Sequence, residues 1–149
     1  QCGRIIRFIK MHKKTLQSIK VEGKYELVKE LLHELPKLEC LTFYPVVNPG
    51  SIIFFQNQQP LTKLKEANLI FTSYPFIQNF LKIAPNLRTL YVSHLSREVL
   101  KLVTANAVNV ESFKFAMLGN NTLSELNEFY RLISINMNNN RSKMKISQI

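Results

Sequence analysis

Short apolar triplets recur along the chain at a nearly constant spacing. In PNLRTLYVSHL, residues 85–95, Leu87, Leu90 and Val92 stand three and then two positions apart. Side chains two positions apart on a strand point to the same side, so this spacing predicts a short strand with one buried face. The same spacing occurs in four other segments, which are LQSIKV from Leu16, LECLTF from Leu38, LKEANL from Leu64 and VESFKF from Val110.

The triplets form a repeat with a helix between successive strands. Their middle apolar positions are 22, 26, 23 and 23 residues apart, at Ile19, Leu41, Ala67, Leu90 and Phe113. Between the triplets, apolar residues return with the helical period. Helices are predicted at YELVKELLHEL (25–35), at PFIQNFLKIA from Pro75, at SREVLKLVTAN with Ser96 as N-cap, and at TLSELNEFYRLIS with Thr122 and Glu125 as a capping box. One strand and one helix cannot bury their own apolar faces, so the units are expected to stack.

Over about residues 15–135 this pattern resembles the leucine-rich-repeat proteins, in their ribonuclease-inhibitor-like form. The resemblance implies an α/β fold, a leucine-rich-repeat solenoid with short parallel strands on the concave side and helices on the convex side. Residues 1–149 would form a single domain, and because the chain starts at Gln1 we expect it to be a fragment of a longer chain. The family places Asn or Cys three residues after each triplet, whereas this sequence has Lys24, Val46, Thr72, Leu95 and Leu118.

Irregular repeats of these lengths also resemble the substrate-recognition arrays of F-box proteins, which are subunits of ubiquitin ligases. The resemblance implies a protein partner on the concave face and ubiquitin ligase subunits bound through a region outside this chain. No F-box segment is visible in the sequence, so it would lie upstream of Gln1.

The positions between the apolar residues of each triplet are the predicted contact surface. One row comprises Lys20, Thr42, Asn68, Tyr91 and Lys114, the next comprises Glu22, Tyr44, Ile70, Ser93 and Ala116, and an edge column comprises Gln17, Glu39, Lys65, Arg88 and Glu111. Tyr44 and Tyr91 are the predicted anchors, because tyrosine gives a large contact area at low entropy cost. The predicted partner-binding residues are Lys20, Tyr44, Asn68, Arg88, Tyr91 and Lys114.

The net charge of +10 is concentrated at the two ends. Residues 1–24 carry seven bases and one acid, residues 131–149 carry four bases and no acid, and residues 25–130 carry nine of each. The basic ends, 4–24 and 131–145, therefore support an alternative function, an RNA-associating or anionic-membrane-associating module. Segment 4–14, RIIRFIKMHKK, would serve either as an amphipathic binding helix or as a repeat helix facing the stack, and the second interpretation is favoured because a strand follows from Leu16.

The longest connection, residues 44–60, contains a Pro-Gly turn, so its helix is expected to be short or replaced by irregular chain. Its run of four apolar residues, 52–55, is interpreted as core rather than as an exposed binding patch.

No enzyme is predicted. The chain contains no Asp. Its three histidines, His12, His33 and His94, are far apart in sequence, and its two cysteines, Cys2 and Cys40, are far apart as well. Without His-x-x-x-His, Cys-x-x-Cys or a glycine-rich loop, neither a metal site nor a nucleotide cofactor is expected. With no membrane-length apolar run or secretory signal, and only two cysteines, an intracellular location, cytoplasmic or nuclear, is predicted.

Overall fold

The computed structural model describes residues 2–46, 55, 58–106, 109–118, 127–128, 131, 134–135 and 144–149. Its elements are α1 (Cys2–His12), β1 (Ser18–Gly23), α2 (Tyr25–Glu34), β2 (Cys40–Pro45), β3 (Glu66–Leu69), α3 (Tyr74–Ile83), β4 (Thr89–Leu95), α4 (Arg97–Asn106), β5 (Ser112–Leu118) and β6 (Lys145–Gln148). The six strands form one sheet in sequential order, and every neighbouring pair is parallel. The predicted α/β class with parallel strands is confirmed.

The strands pair in the register that the triplets predict. The middle apolar residues of the five triplets are Cα partners of one another across the sheet, in the order Ile19, Leu41, Ala67, Leu90 and Phe113. Two positions later, Val21, Phe43, Leu69, Val92 and Phe115 form a second buried row. Since strand side chains alternate between faces, both rows lie on the side packed against the helices.

The helix signals are confirmed where the structure describes them. The Phe76 N–H donates to Ser73 Oγ at 3.4 Å, and Pro75 lies in the first turn of α3. The Val99 N–H donates to Ser96 Oγ at 3.2 Å, so Ser96 caps α4 as predicted. The predicted capping box at Thr122 and Glu125 lies outside the described residues.

An aromatic cluster joins the helices to the sheet. The Phe43 ring on β2 lies 5.2 Å from Tyr25 on α2 and 5.3 Å from Phe76 on α3, between ring centroids. Phe55 lies 5.6 Å from Phe76, so its predicted core role is confirmed, whereas residues 52–54 lie outside the described residues. Within residues 55 and 58–65 the connection between β2 and β3 has no helix, as its prolines predicted.

One predicted contact residue, Ser93, is instead buried. Its hydroxyl accepts a hydrogen bond of 2.7 Å from the N–H of Phe71, which adopts a left-handed backbone with φ 55°. Ser93 is only 6% exposed, because its hydroxyl is bonded to the turn that contains Phe71. The prediction that Ser93 belongs to the contact surface is wrong.

In the turn between β3 and α3, backbone N–H groups are satisfied without the asparagine of the leucine-rich-repeat pattern. The Ser73 N–H donates to the Tyr25 hydroxyl at 3.1 Å, and the Phe71 N–H donates to Ser93. Thr72, at one of the asparagine positions, has a buried hydroxyl without a hydrogen-bond partner among the described residues. Ser93, from the next unit, and Tyr25, from two units earlier, therefore supply these bonds.

Candidate functional site

The sheet face opposite the helices, here called the open face, carries a continuous row of polar side chains. Lys20, Thr42, Asn68, Tyr91 and Lys114 are successive Cα partners from β1 to β5. Lys20 is exposed and the other four are half-buried. Four of the six predicted binding residues therefore lie in one row.

Hydrogen bonds fix the centre of this row. The Asn68 amide donates to Thr42 Oγ1 at 3.1 Å and to Glu66 Oε1 at 3.3 Å. These bonds orient the amide beside Tyr91, the next residue of the row. The side chains at the centre of the row are therefore held in fixed positions, which would lower the entropy cost of binding a ligand there.

Tyr44 lies two residues beyond Thr42, in the next row of the same face. The Lys20 ammonium lies 5.0 Å from the centroid of its ring, a distance suited to a cation–π interaction. Tyr44 is half-buried, so it contacts Lys20 and also remains partly exposed to solvent.

Arg88 lies away from both tyrosines, at the end of the sheet where the strands begin. Its N–H donates to the Lys65 carbonyl at 2.8 Å, and its own carbonyl accepts from Glu111 and Ser112. These bonds confirm the predicted edge column. No ion pair between Arg88 and Glu66 or Glu111 occurs in the part of the chain that the structure describes.

Arg88 lines an open groove of about 600 Å³, here called the amino-edge groove. Its charged lining residues are Lys14, Lys37, Lys63, Lys65, Arg88, Glu39 and Glu111. This excess of cations was not predicted from the sequence, because equal numbers of acids and bases in residues 25–130 do not show which bases lie together in the fold. Lys37 and Lys63 each directly precede the first leucine of a triplet. This shared position in the repeat was the sequence feature that could have predicted that the two lysines lie side by side.

α1 combines a packed face with an exposed one. Ile9 is 3% exposed and Ile6 packs against the core, as expected of a repeat helix. Ile5, Phe8 and Met11 are 46%, 58% and 76% exposed. These three residues, here called the α1 stripe, are not explained by packing within the described structure.

Cys40 lies on the open face, between Ser18 on β1 and Glu66 on β3. Burial raises the pKa of its thiol, a hydrogen bond with Ser18 partly offsets this, and the charge of Glu66 raises the pKa further. A raised pKa lowers the thiolate fraction, which disfavours nucleophilic chemistry at this position.

The histidines contact aromatic rings or solvent. His12 lies 4.5 Å from the Phe8 ring and His94 lies 5.1 Å from the Phe71 ring, between ring centroids, while His33 is exposed on α2, which also carries Glu30 and Glu34. Among the residues with described positions, no three His, Cys, Asp or Glu side chains are grouped so as to hold a metal ion. Within the same residues, no helix has the length and apolar character needed to cross a membrane.

Comparisons with protein-family models, with curated proteins and with solved structures gave no significant match.

Proposed function

We propose that this chain is a non-enzymatic, intracellular protein-interaction module of the leucine-rich-repeat type, which binds a protein partner on the open face of its sheet. The register of the five triplets and the strand-to-strand repeat support the repeat assignment. The main support for binding is the row of polar side chains on the open face, from Lys20 to Lys114. It offers two lysines at its ends, an amide and a tyrosine between them, and no helix among the described residues packs on that face.

Partner binding centred on Tyr91 is tested by photocrosslinking. A photoreactive benzoylphenylalanine replaces Asn68, or Lys82 on the exposed side of α3 as the control position. We expect one protein to be crosslinked from position 68 and not from position 82. Adding Tyr91→Ala should reduce the crosslink at least about tenfold, because a buried interface tyrosine contributes on the order of 2 kcal/mol.

Tyr74→Ala is the matched control, since Tyr74 is 39% exposed on α3, away from the open face. Equal crosslinking from positions 68 and 82, or a crosslink that Tyr91→Ala leaves unchanged, would contradict binding at the open face.

More specifically, we propose that the module is the substrate-recognition part of an F-box type ubiquitin ligase subunit. Its support is the resemblance of the repeat lengths, 22 to 26 residues, to such arrays. An antibody against this chain should capture the intact protein from its own cells together with a cullin and its adaptor, and high salt should not release them. If the antibody captures the protein without these two subunits, the ligase assignment is wrong, whereas the proposal of a protein-interaction module is unaffected.

The α1 stripe favours a second candidate function, association with an anionic membrane. Arg4 and Arg7 are exposed beside the stripe, and α1 contains no acidic residue. Apolar and basic side chains together suit the headgroup region of an anionic bilayer. Two copies meeting stripe to stripe would bring these cations together, which disfavours self-association. Of the carboxyl-terminal basic segment, only residues 131, 134–135 and 144–145 are described, so it adds no support.

A further inference from the structure

We propose that the amino-edge groove is a second binding site and that it takes a short acidic peptide segment. The groove lies along the starts of the strands, whereas the open face lies on the flat of the sheet. The proposal therefore stands independently of the partner proposed for the open face.

The groove is cationic because two columns of side chains meet there. The inner column consists of the last four residues of the edge column, Glu39, Lys65, Arg88 and Glu111, linked strand to strand by backbone hydrogen bonds. The outer column stands two residues earlier in each unit and consists of Lys37, Lys63, Asn86 and Asn109. Lys37, Lys63, Lys65 and Arg88 are all exposed, and no ion pair with any of them occurs among the described residues.

The outer column shows that the lysines are not required by the fold. Asn86 donates its amide to the Thr62 carbonyl at 3.0 Å, and Asn109 donates to the Pro85 carbonyl at 2.8 Å. Each asparagine thus ties its turn to the preceding unit. Lys63 occupies the equivalent position without such a side-chain bond in the described structure, so a structural hydrogen bond is replaced there by an unpaired cation.

The dimensions favour a ligand with two or three negative charges. Neighbouring strands are about 4.8 Å apart, so cations that span two or three units extend over roughly 10 Å. Glu39 and Glu111 lie at the two ends of the inner column, on either side of Lys65 and Arg88. These carboxylates would repel a phosphate backbone that continued along the groove, whereas a peptide can place neutral or basic residues beside them.

The lining also disfavours single-stranded nucleic acid. Proteins that hold such strands stack the bases on aromatic side chains. The lining residues include no aromatic side chain among those the structure describes. Carboxylates on an extended peptide are therefore the ligand chemistry that fits the groove.

The test measures fluorescence anisotropy of a labelled peptide with three glutamates separated by glycines, and of its glutamine twin. The variant Lys37→Asn/Lys63→Asn removes two cations and supplies the side chain that the neighbouring units use, so it should fold. We expect the acidic peptide to bind at least about tenfold more tightly than its twin, and the variant to weaken binding about three- to tenfold.

Lys82→Gln/Lys101→Gln, on the exposed sides of α3 and α4, has the same change in net charge and should leave binding unchanged. Tyr91→Ala should also leave it unchanged, which separates this site from the open face. Equal affinity for the two peptides, or equal effects of the two double variants, would overturn the proposal. Tighter binding of oligouridylate than of the peptide, with the same sensitivity to Lys37→Asn/Lys63→Asn, would reassign the groove to nucleic acid.

Discussion

Single side chains from other units complete the turn between β3 and α3. Phe71 has a left-handed backbone, which costs a non-glycine residue on the order of 1–3 kcal/mol. The hydrogen bond to Ser93 and the contact between the Phe71 and His94 rings hold it in place. Tyr25 acts similarly for Ser73. Ser93 and Tyr25 lie 22 and 48 residues from the N–H groups that they bind, so this one turn is stabilised by side chains distant in sequence.

At the same scale, the neighbours of Cys40 predict how its reactivity depends on pH. In a Cys2→Ser background, Glu66→Gln removes a negative charge that raises the thiol pKa. The pKa should fall, and the pH profile of alkylation by iodoacetamide should move to lower pH. Ser18→Ala removes the hydrogen bond that lowers the pKa, so it should move the profile to higher pH.

Glu98→Gln, on the exposed side of α4, is the control and should leave the profile unchanged. Shifts of the same sign for Glu66→Gln and Ser18→Ala would show that the thiol environment is wrongly assigned.

The same residues show what the sequence could predict. The contact row was predictable because a period of two residues determines which side chains share a sheet face. Burial of Ser93 was not predictable, because it depends on a hydrogen bond from Phe71, 22 residues earlier. The amino-edge groove was missed because a linear charge count does not show that Lys37, Lys63, Lys65 and Arg88 come together.

Among the elements, α1 differs from the other described helices in how much apolar surface it leaves exposed. Phe8 and Met11 are more than half exposed, whereas the larger apolar residues of α4, Val99, Leu100, Leu102 and Val103, are all buried. The sequence predicted an amphipathic helix here but could not distinguish a binding helix from a packed one. The structure gives α1 both a packed face and an exposed stripe.

The exposed stripe predicts selective binding to anionic lipid. The chain should sediment with vesicles of phosphatidylcholine and phosphatidylserine, and less with phosphatidylcholine alone. Phe8→Glu/Met11→Glu should reduce this binding at least about tenfold, because burial of each apolar side chain contributes on the order of 1.5–3 kcal/mol. Salt should weaken the remaining binding.

Val46→Glu/Met117→Glu is the matched control, since Val46 and Met117 are 63% and 56% exposed and lie at strand ends. Equal loss in both double variants would indicate a general charge effect and would exclude α1 as the membrane-binding element.

For the whole molecule, the aromatic cluster links α2, α3 and the sheet into one core. Phe43 is fully buried and contacts rings from both helices. Phe43→Ala should lower the free energy of unfolding by about 3–5 kcal/mol, because it leaves a cavity at this junction. Urea unfolding followed by circular dichroism should shift as a single transition.

Thr42→Ala, the neighbouring residue on the open face, should cost less than about 1.5 kcal/mol, mainly through its bond with Asn68. Two separate transitions for Phe43→Ala would show that the units on the two sides of β2 unfold independently.

The connection between β2 and β3 is longer than the others that join the strands from β1 to β5, yet Leu41 and Ala67 pair in the same register as the other middle positions. Spacing along the chain and pairing across the sheet are therefore decoupled. A gene duplication covering one unit of about 23 residues could insert a new strand between existing ones without changing the alignment of the rest. Each such event would lengthen the open face and the amino-edge groove together, so a change in copy number would alter both surfaces at once.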